Sequence, residues 1–513
     1  MEKEKQNKKS TKIIIGSVVA LLIIGCGIIS YLYLSKSTTT KTKKLYSPYE
    51  LSGNNLEKFD LQFLKLENEE KNKAYSPLSI KYALEMLAEG TDGTSKEQLD
   101  SVIGKYKARK YENNKNMSFA NAIFIRDSFK NSVEDDYENV LASKYNAEVV
   151  YDSFNNANNL NSWVSNKTFN LINNLFDDIS GKNLILTNAL AIDMEWVNKI
   201  QSEHDSYRED YIHEDYIMVV EELATKGYTS LDFNNSTIKA KSVEIGASVN
   251  KYDIVNKLGE DNIRETVGNA YKKWLSEGGC GYTGNVTDEE VDTYLDQYIK
   301  EINSNYKKIS SSTDFYFYDD DSVKVFAKDL KEYNGITLQY VGIMPKNNNL
   351  SDYIKNINAK QINNIIDNLK GMELSNFEDG VITKITGYIP MFKFDYTLDL
   401  KSDLKALGIT DVFDSNKANI SGITSLKNSY IDSANHKANI EFSNDGIKAS
   451  AATEFGGLGD ATCEFKYDYD VPVKEIDLTF DNSYLFFIRD KDTGEVWFAG
   501  TVYEPIEYTE IER

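Results

Sequence analysis

Histidine is scarce among the residues that could do chemistry in this chain, with three copies in 513 residues. His204 and His213 lie in the charged stretch SEHDSYREDYIHEDY and are expected to be solvated surface groups. His436 adjoins a strand pattern and is expected to be a hydrogen-bonded core residue. Ser–His–Asp or Cys–His catalysis needs a tuned base beside the nucleophile, and no nucleophile-elbow, P-loop or dinucleotide fingerprint stands in a supporting context. The sequence therefore predicts that the protein is not an enzyme.

The three cysteines, Cys26, Cys280 and Cys463, form no cluster with histidine. Without a C-x-x-C or H-E-x-x-H motif, neither a zinc site nor any other metal or cofactor site is predicted. A disulfide framework is excluded as well, although one Cys280–Cys463 bridge stays open. The formal charge of −22 repels phosphate backbones, so a general nucleic-acid binder is excluded.

The segment Gly446–Phe455 (GIKASAATEF) has the alternation of a strand, in which successive side chains point to opposite faces. One face carries Ile447, Ala449, Ala451, Thr453 and Phe455, and the other carries Lys448, Ser450, Ala452 and Glu454. The first face is apolar with small residues in its middle, which suits a strand slotted into a crowded sheet. The segment runs directly into Gly456–Gly459 (GGLG), which favours an exposed loop. On pattern alone, an ordinary edge strand followed by a turn is the favoured interpretation.

The rest of the chain predicts mixed helices and strands, an α+β class. Helical patterns cover 49–70, 75–87 with Pro77 in the first turn, a helix opened by a capping box at Thr94–Glu97, and 161–176; strands are predicted at 119–125, 148–151 and 184–192. Residues 198–312 differ in texture and contain two amphipathic helix candidates, 262–276 and 288–306. Strand–helix alternation resumes from Phe315.

The N-terminus predicts a membrane anchor. Residues 13–34 are 22 residues without a charge, about 33 Å as a helix, which is enough to cross a bilayer core. They follow a charged tail (1–12), expected in the cytoplasm, and precede a Thr/Lys-rich linker (35–48) and the body (49–513). A single-pass protein of the cell membrane with an extracellular body is expected. The alternative is a lipoprotein anchored through Cys26, because Ile23–Cys26 (IIGC) is similar to a lipoprotein cleavage box.

Short motifs of the body occur in a defined order. They are YSPLSI at 75–80, FANAIF at 119–124, TNA at 187–189 with Trp196 beyond it, PMFKF at 390–394, LGITD at 407–411, YLFFIRD at 484–490 and FAGTV at 498–502. In this order they resemble the serpins, a family of serine protease inhibitors, over nearly all of 50–505 except the insertion. The chain is similar to membrane-anchored bacterial, clostridial-type members with a large insertion.

The resemblance implies the serpin fold: a large central β-sheet, further sheets, about eight or nine helices, and here a helical insertion near 198–312. It implies a monomer that inhibits as a suicide substrate and ends in a covalent complex with a target serine or cysteine protease. The protease cleaves a reactive-centre loop (446–470), and the freed segment inserts into the sheet before the acyl-enzyme is hydrolysed. The alternative is a non-inhibitory serpin-fold protein that binds or scaffolds.

Individual residues take roles through the same resemblance. Those that match the loop hinge are Gly446, Ile447, Ala449, Ser450, Ala451, Ala452 and Thr453; those that match the polar "shutter" beneath the central strands are Ser76, Ser79, Asn188 and His436. Trp196 matches the "breach", where the loop first enters the sheet. Ile447 departs from the usual Thr or Ser, and Asn444–Asp445 replace two Glu, so a breach ion pair is expected to be missing.

The scissile bond is expected about fourteen positions after the hinge glycine, which places it at Asp460–Ala461. The loop is longer than in most serpins, and the alternatives Leu458, Thr462, Cys463 and Lys466 stay open.

Overall fold

The computed structural model describes residues 54–505, with gaps at 105, 107–108, 201–218, 251–258, 306–314, 348, 379–380, 432–433, 435, 444–445, 448–464, 466 and 468–471. All of these residues belong to one of the two units into which the chain divides, Ser47–Arg513. Within the described ranges, no helix is both long enough and apolar enough to cross a membrane. The predicted tail, anchor, linker and Cys26 lie outside the described residues, as do His204 and His213.

Ten α-helices occur in the described part of the chain. They are α1 Asn54–Leu66, α2 Pro77–Glu89, α3 Gly93–Ile103, α4 Asp135–Tyr145, α5 Asn158–Lys167, α6 Glu260–Ser276, α7 Asp288–Asn305, α8 Leu350–Asn356, α9 Ala359–Asp367 and α10 Leu400–Ala406.

Eighteen strands occur in the same residues. They are β1 Lys73–Tyr75, β2 Met117–Arg126, β3 Ala147–Asp152, β4 Leu184–Ile192, β5 Met194–Glu195, β6 Val219–Phe233, β7 Ser236–Asn250, β8 Phe315–Asp319, β9 Val323–Asp329, β10 Leu338–Pro345, β11 Lys370–Gly371, β12 Ile382–Pro390, β13 Phe392–Leu398, β14 His436–Phe442, β15 Gly446–Ile447, β16 Val473–Asp477, β17 Tyr484–Asp490 and β18 Val496–Val502.

Helix α2 lies at the centre of the packing and begins as its sequence predicts. The Ser76 side chain accepts a hydrogen bond from the Ser79 N–H, and Pro77 occupies the first turn, where a missing N–H costs nothing. Eleven of its thirteen residues are buried, Lys81 among them. This helix therefore carries both motif serines into the interior.

Two helix predictions were wrong in their details. Helix α3 begins at Gly93 and is capped by Asp92, whereas the Thr94 hydroxyl donates to Asp411 at 2.7 Å instead of closing a capping box. Helix α5 ends at Lys167, because Phe169 and Asn170 take left-handed φ values of 51° and 63°. Ile172 and Phe176 are buried against β2 and β4 although this part of the chain is irregular, so helical spacing of apolar residues occurs here without a helix.

The largest hydrogen-bonded sheet has seven strands in the order β1-β18-β17-β10-β9-β8-β11. Strands β10, β17 and β18 are buried along their whole length, including the polar residues Arg489, Asp490 and Thr501 of the YLFFIRD and FAGTV motifs. A second sheet has the order β16-β12-β7-β6. Both sheets join strands from distant parts of the sequence.

The expected single central sheet is divided. One part has the order β3-β2-β4 and the other is the pair β13-β14. In the described residues no ladder joins β4 to β14, and the two strands flank a space that we call the central gap. Strand β15, paired to β5, lies at the end of the gap beyond Ile192.

The interval 198–312 contains the two predicted helices, as α6 and α7, but also more. Strands β6 and β7 form a hairpin that pairs with β12, so this part of the interval belongs to a body sheet. Helices α6 and α7 form an apolar cluster of their own, separate from the main core. The helical addition is therefore shorter than the sequence suggested.

Candidate functional site

The first two residues of the predicted hinge run back along the chain at the end of the central gap. The N–H and the hydroxyl of Ser443 both donate to the carbonyl of Gly446, at 3.2 and 3.0 Å. Gly446–Ile447 then run antiparallel to Met194–Glu195, with Gly446 opposite Glu195. The first two hinge residues therefore lie between the ends of β4 and β14, where an inserted strand would begin.

Gly446 is required there by contact as well as by conformation. Its φ is 149°, which favours glycine. A Cβ atom would lie 2.2 Å from the Met194 carbonyl oxygen and 2.7 Å from the Glu195 Cα. Because these are backbone atoms of the neighbouring strand, a larger residue would push the hinge out of the gap.

Trp196, the predicted breach residue, lies beside this turn. The indole is fully buried, and its Nε1–H donates to the Ser443 carbonyl at 2.9 Å. Its ring packs edge-on against Tyr340 and Phe442, with centroids 6.3 and 5.7 Å away. Trp196 thus supports the residue at which the chain turns into the gap.

An ion pair at the breach was missed by sequence reasoning. The Lys331 ammonium donates to Glu195 at 2.5 Å, and the Lys331 N–H donates to the Glu195 carbonyl at 2.8 Å. The hydrogen bond from Lys331 lowers the pKa of Glu195. Asn444 and Asp445, where an ion pair was expected to be missing, lie outside the described residues. Glu195 adjoins Trp196, but nothing in the sequence pairs it with Lys331.

The four predicted shutter residues converge on one hydrogen-bonded chain. The Ser76 N–H donates to Nε2 of His436 at 2.9 Å, and the Ser79 hydroxyl donates to Oδ1 of Asn188. Asn188 in turn donates to Asn121, a residue that sequence reasoning did not assign to this cluster. The A-N-A motif on β2, which contains Asn121, is the sequence feature that could have indicated this residue. This series of hydrogen bonds links β14 through α2 to β4 and β2, across the central gap.

His436 is buried and neutral in this arrangement. Burial lowers its pKa from the usual value of 6.5 to about 4. The neutral ring accepts the Ser76 N–H through Nε2, so it serves as a structural hydrogen-bond partner.

The central gap is a physical space. A cavity of about 90 Å³ is lined by β4 from Leu184 to Leu190, by His436 and Lys437 of β14, and by Ser76 and Ser79. A smaller cavity of about 20 Å³ lies between Leu190–Ile192 and Asn439–Glu441. From the larger cavity to the smaller one, residue numbers increase along both β4 and β14, so the two strands run parallel. A strand antiparallel to both, as β15 is, could pair with each of them.

Other predicted site residues cannot be placed. Ala449, Ser450, Ala451, Ala452 and Thr453 lie outside the described residues, as do Asp460 and Ala461 of the expected scissile bond. For Ile447 only the backbone is described. Among the described residues there is no cluster of His, Cys, Asp or Glu that could hold a metal ion.

A sequence profile of the family described as Serpin (serine protease inhibitor) matches residues 55–250 and 298–505. The chain belongs to the serpin family. Serpins are in general non-enzymatic inhibitors. The unmatched interval, 251–297, is shorter than the expected insertion of 198–312 and contains α6 and the first part of α7.

Individual serpins resemble this chain to different extents. An uncharacterized serpin-like protein of the archaeon Methanosarcina acetivorans is 26% identical over 96% of this chain and 97% of its own length. Mouse leukocyte elastase inhibitor A is 30% identical, but over 34% of this chain and 42% of that protein. The match to this inhibitor therefore spans less than half of it.

Solved serpin structures share the fold. Native tengpin, a thermophilic serpin, superposes with a TM-score of 0.57 and 20% identity over 87% of this chain and 93% of tengpin. Thyroxine-binding globulin in complex with thyroxine gives 0.58 and 17% identity over 90% of this chain and the whole of that one. Identities this low support the architecture alone.

The buried His436 predicts a pH-dependent stability. Its folded pKa of about 4 lies below the ordinary 6.5, so as pH falls through that window the unfolded chain binds a proton that the folded chain does not. The free energy of unfolding should therefore fall by about 2 to 3 kcal/mol between pH 7.5 and 4.5 through this residue. Urea unfolding of His436→Gln at both pH values should lack this part of the loss.

Two comparisons isolate the histidine effect. The buried Asp60 and Asp403, whose pKa values burial raises to about 6 and 7, act with the opposite sign but equally in both proteins, so they cancel. The variant His213→Gln should keep the wild-type profile. An unchanged pH dependence in His436→Gln would show that the ring is accessible to protons in the folded state.

Proposed function

We propose that this serpin inhibits a serine or cysteine protease as a suicide substrate, by inserting its cleaved loop into the central gap. The observation that carries the proposal is the antiparallel pairing of Gly446–Ile447 with Met194–Glu195. The loop has therefore entered the gap by two residues, and the edges of β4 and β14 beyond it stay available for further pairing.

The register of this pairing can be extended along β4. With Gly446 opposite Glu195 and Ile447 opposite Met194, each further hinge residue meets the preceding residue of β4. Ala451 would face Leu190 and Thr453 would face Asn188. Directly opposed residues share a face, and Leu190, Ile192 and Met194 belong to the main core. The apolar face of the hinge segment would therefore point inward, where its small side chains fit.

The chemistry that precedes insertion belongs to the target protease. Its Ser or Cys nucleophile attacks the carbonyl of the scissile residue, and the C-terminal segment leaves as a free amine. The protease stays joined to the loop by an ester or thioester. About 14 inserted residues at about 3.3 Å each would carry it nearly 50 Å, before water can attack the acyl group. Asp460–Ala461 is the bond that this length favours, and Asp460 would select an Asp-directed protease.

We further propose that the serpin body lies outside a bacterial-type cell, held at the membrane by residues 13–34. The uncharged segment is long enough for the bilayer. Cys280 is disulfide-bonded, and disulfides persist mainly in oxidising, extracytoplasmic compartments. A cytoplasmic body would leave this bridge without its usual environment.

Loop cleavage should stabilise the protein, because it frees a strand to fill the gap. Nicking the chain between Phe455 and Cys463 should raise the thermal midpoint by tens of degrees. The variant Gly446→Ala should gain far less, since its Cβ atom meets the backbone of β5 at the entrance of the gap. Differential scanning calorimetry before and after verified cleavage measures both.

Gly181→Ala is a matched control, because a Cβ atom at Gly181 meets nothing within 4 Å and the residue has no positive φ. Loop cleavage should raise the thermal midpoint of this control as much as that of the wild type. If nicked wild-type protein melts at the uncut temperature, the gap does not accept the loop.

The inhibitory mechanism predicts a covalent complex that survives denaturing electrophoresis. Wild-type protein incubated with a panel of serine and cysteine proteases, Asp-directed ones included, should yield such a band with one of them. Ala451→Arg should be cleaved without trapping its target, because insertion would bury an unpaired guanidinium, at a cost of several kcal/mol.

Glu454→Arg is the control for the introduced positive charge. Position 454 lies on the opposite face of the hinge segment, and its native side chain is already charged. This variant should trap the target as the wild type does. Undiminished complex formation by Ala451→Arg would contradict the register, and absence of any complex with wild-type protein would favour a non-inhibitory binding role.

The membrane proposal predicts that the full-length protein resists alkaline extraction from membranes. Leu22→Arg combined with Ile23→Arg should release it, because each charge near the bilayer centre costs about 3 kcal/mol. Immunoblotting of the extract measures the release. Cys26→Ser distinguishes the two anchors: it should stay in the membrane if the helix holds the protein, and release by this change would instead identify a lipoprotein.

A further inference from the structure

The helical insertion packs on part of the reactive loop. Helices α6 and α7 form an apolar cluster with Ile263, Val267, Val291, Leu295 and Ile299 buried between them. Two further members, Phe465 and Tyr467, come from the C-terminal limb of the predicted loop, more than 160 residues further along the chain. The insertion therefore contacts the very segment that a target protease must approach.

Phe465 is enclosed by three aromatic rings of the insertion. Its ring centroid lies 5.2 Å from Tyr271, 5.4 Å from Trp274 and 5.8 Å from Tyr294. Tyr271 and Tyr294 stack on one another at 4.0 Å, which joins the two helices at this point. The Tyr294 hydroxyl also donates to the Phe465 carbonyl at 3.4 Å. Both the ring and the backbone of Phe465 are thus held.

A disulfide lies at the turn next to this aromatic cage. A Cβ atom at Gly279 would be 2.3 Å from the Trp274 ring, so the turn lies directly against the indole. The following residue, Cys280, has a left-handed φ of 52° and is disulfide-bonded. With three cysteines in the chain, its partner is either Cys26 or Cys463.

The position of Phe465 favours Cys463 over Cys26 as the disulfide partner of Cys280. Phe465 packs on the same Trp274 that lies against the turn, and Cys463 precedes it by two residues. Two residues span at most about 7 Å, and bridged cysteines have Cα atoms about 4.4 to 6.8 Å apart. A bridge from Cys280 to Cys463 therefore requires only a short span from Phe465, whereas nothing in the described residues brings the N-terminal segment with Cys26 to this turn.

We propose that α6 and α7 form a clasp for the C-terminal limb of the reactive loop, made of the Phe465 cage and a Cys280–Cys463 disulfide. The clasp confines target cleavage to bonds before Cys463, because a protease needs several residues in extended, accessible form and the clasped residues are not free to adopt it. This excludes Cys463 and Lys466 as scissile residues. The clasp proposal rests on the proposed inhibitory function only in its statement about cleavage by a target protease.

The clasp has a consequence for the cleaved protein. The N-terminal limb, which carries the hinge, is free to enter the central gap. The C-terminal limb, which the protease releases as a new amine, stays joined to the inhibitor by the disulfide. The two products of loop cleavage should therefore be covalently linked to one another.

Loop nicking of the full-length, detergent-solubilised protein tests this directly. Limiting papain or elastase should cut the loop, with the sites assigned by mass spectrometry. Without reductant the two pieces should migrate together on a denaturing gel, and with reductant the C-terminal piece of about 6 kDa should separate. Separation without reductant would overturn the clasp, since it means either no such bridge or a cut beyond Cys463.

Variants test the aromatic part. Cys280→Ser should let the pieces separate without reductant yet leave the cleavage sites unchanged. Cys280→Ser combined with Phe465→Ser should open new sites between 463 and 471, cut at least tenfold faster than in the wild type. No new site in the double variant would refute the cage.

The control Ile299→Val trims the same apolar cluster away from Phe465 and should leave the cleavage pattern unaltered. The thermal midpoint of the body should change little in every variant, because the insertion cluster is separate from the main core. These readouts need no inhibitory target. Linked pieces in a protein that traps no protease would uphold the clasp and reject the inhibitory function, and the reverse pattern would reject the clasp alone.

Discussion

Two parallel strands, β4 and β14, lie side by side without a ladder between them in the described residues, and the rest of the structure is arranged around that interruption. Each strand presents backbone donors and acceptors to a space that holds a cavity in place of a partner strand. Unpaired strand edges invite the addition of another strand. A segment with the right alternation stands at one end of the gap and has entered it by two residues. The gap thus has the place of one further strand, which we propose is supplied by the reactive loop.

Polar contacts fix the residues around the central gap, both near its middle and at its entrance. Near the middle, His436, Ser76, Ser79 and Asn188 tie the two halves of the sheet to helix α2. At the entrance, Trp196 holds the Ser443 carbonyl, and Lys331 holds both the side chain and the backbone carbonyl of Glu195. Buried polar groups of this kind are costly when unpaired. A strand that enters the gap must therefore pass between groups whose positions are already set.

The insertion shows how the fold accommodates an added element without disturbing this arrangement. Helices α6 and α7 build their own small core and use two aromatic residues of the loop limb to complete it. In the proposed clasp, these contacts would shorten the part of the long loop that a protease can bind.

Local sequence determined much of this protein. Ser76 and Pro77 set the start of α2, and the amphipathic spacing of α6 and α7 and the apolar run of β4 predicted their elements, since caps and periodicity are encoded over a few residues. The ordered motifs indicated the family, the shutter residues and Trp196. Periodicity failed at 168–176, where apolar residues are buried from irregular chain. Only the tertiary structure decided that the central sheet is divided, that Lys331 pairs with Glu195, that Asn188 donates to Asn121, and that Phe465 packs against α6 and α7. These contacts join residues far apart in the chain, and no local pattern records which distant partner a side chain will meet.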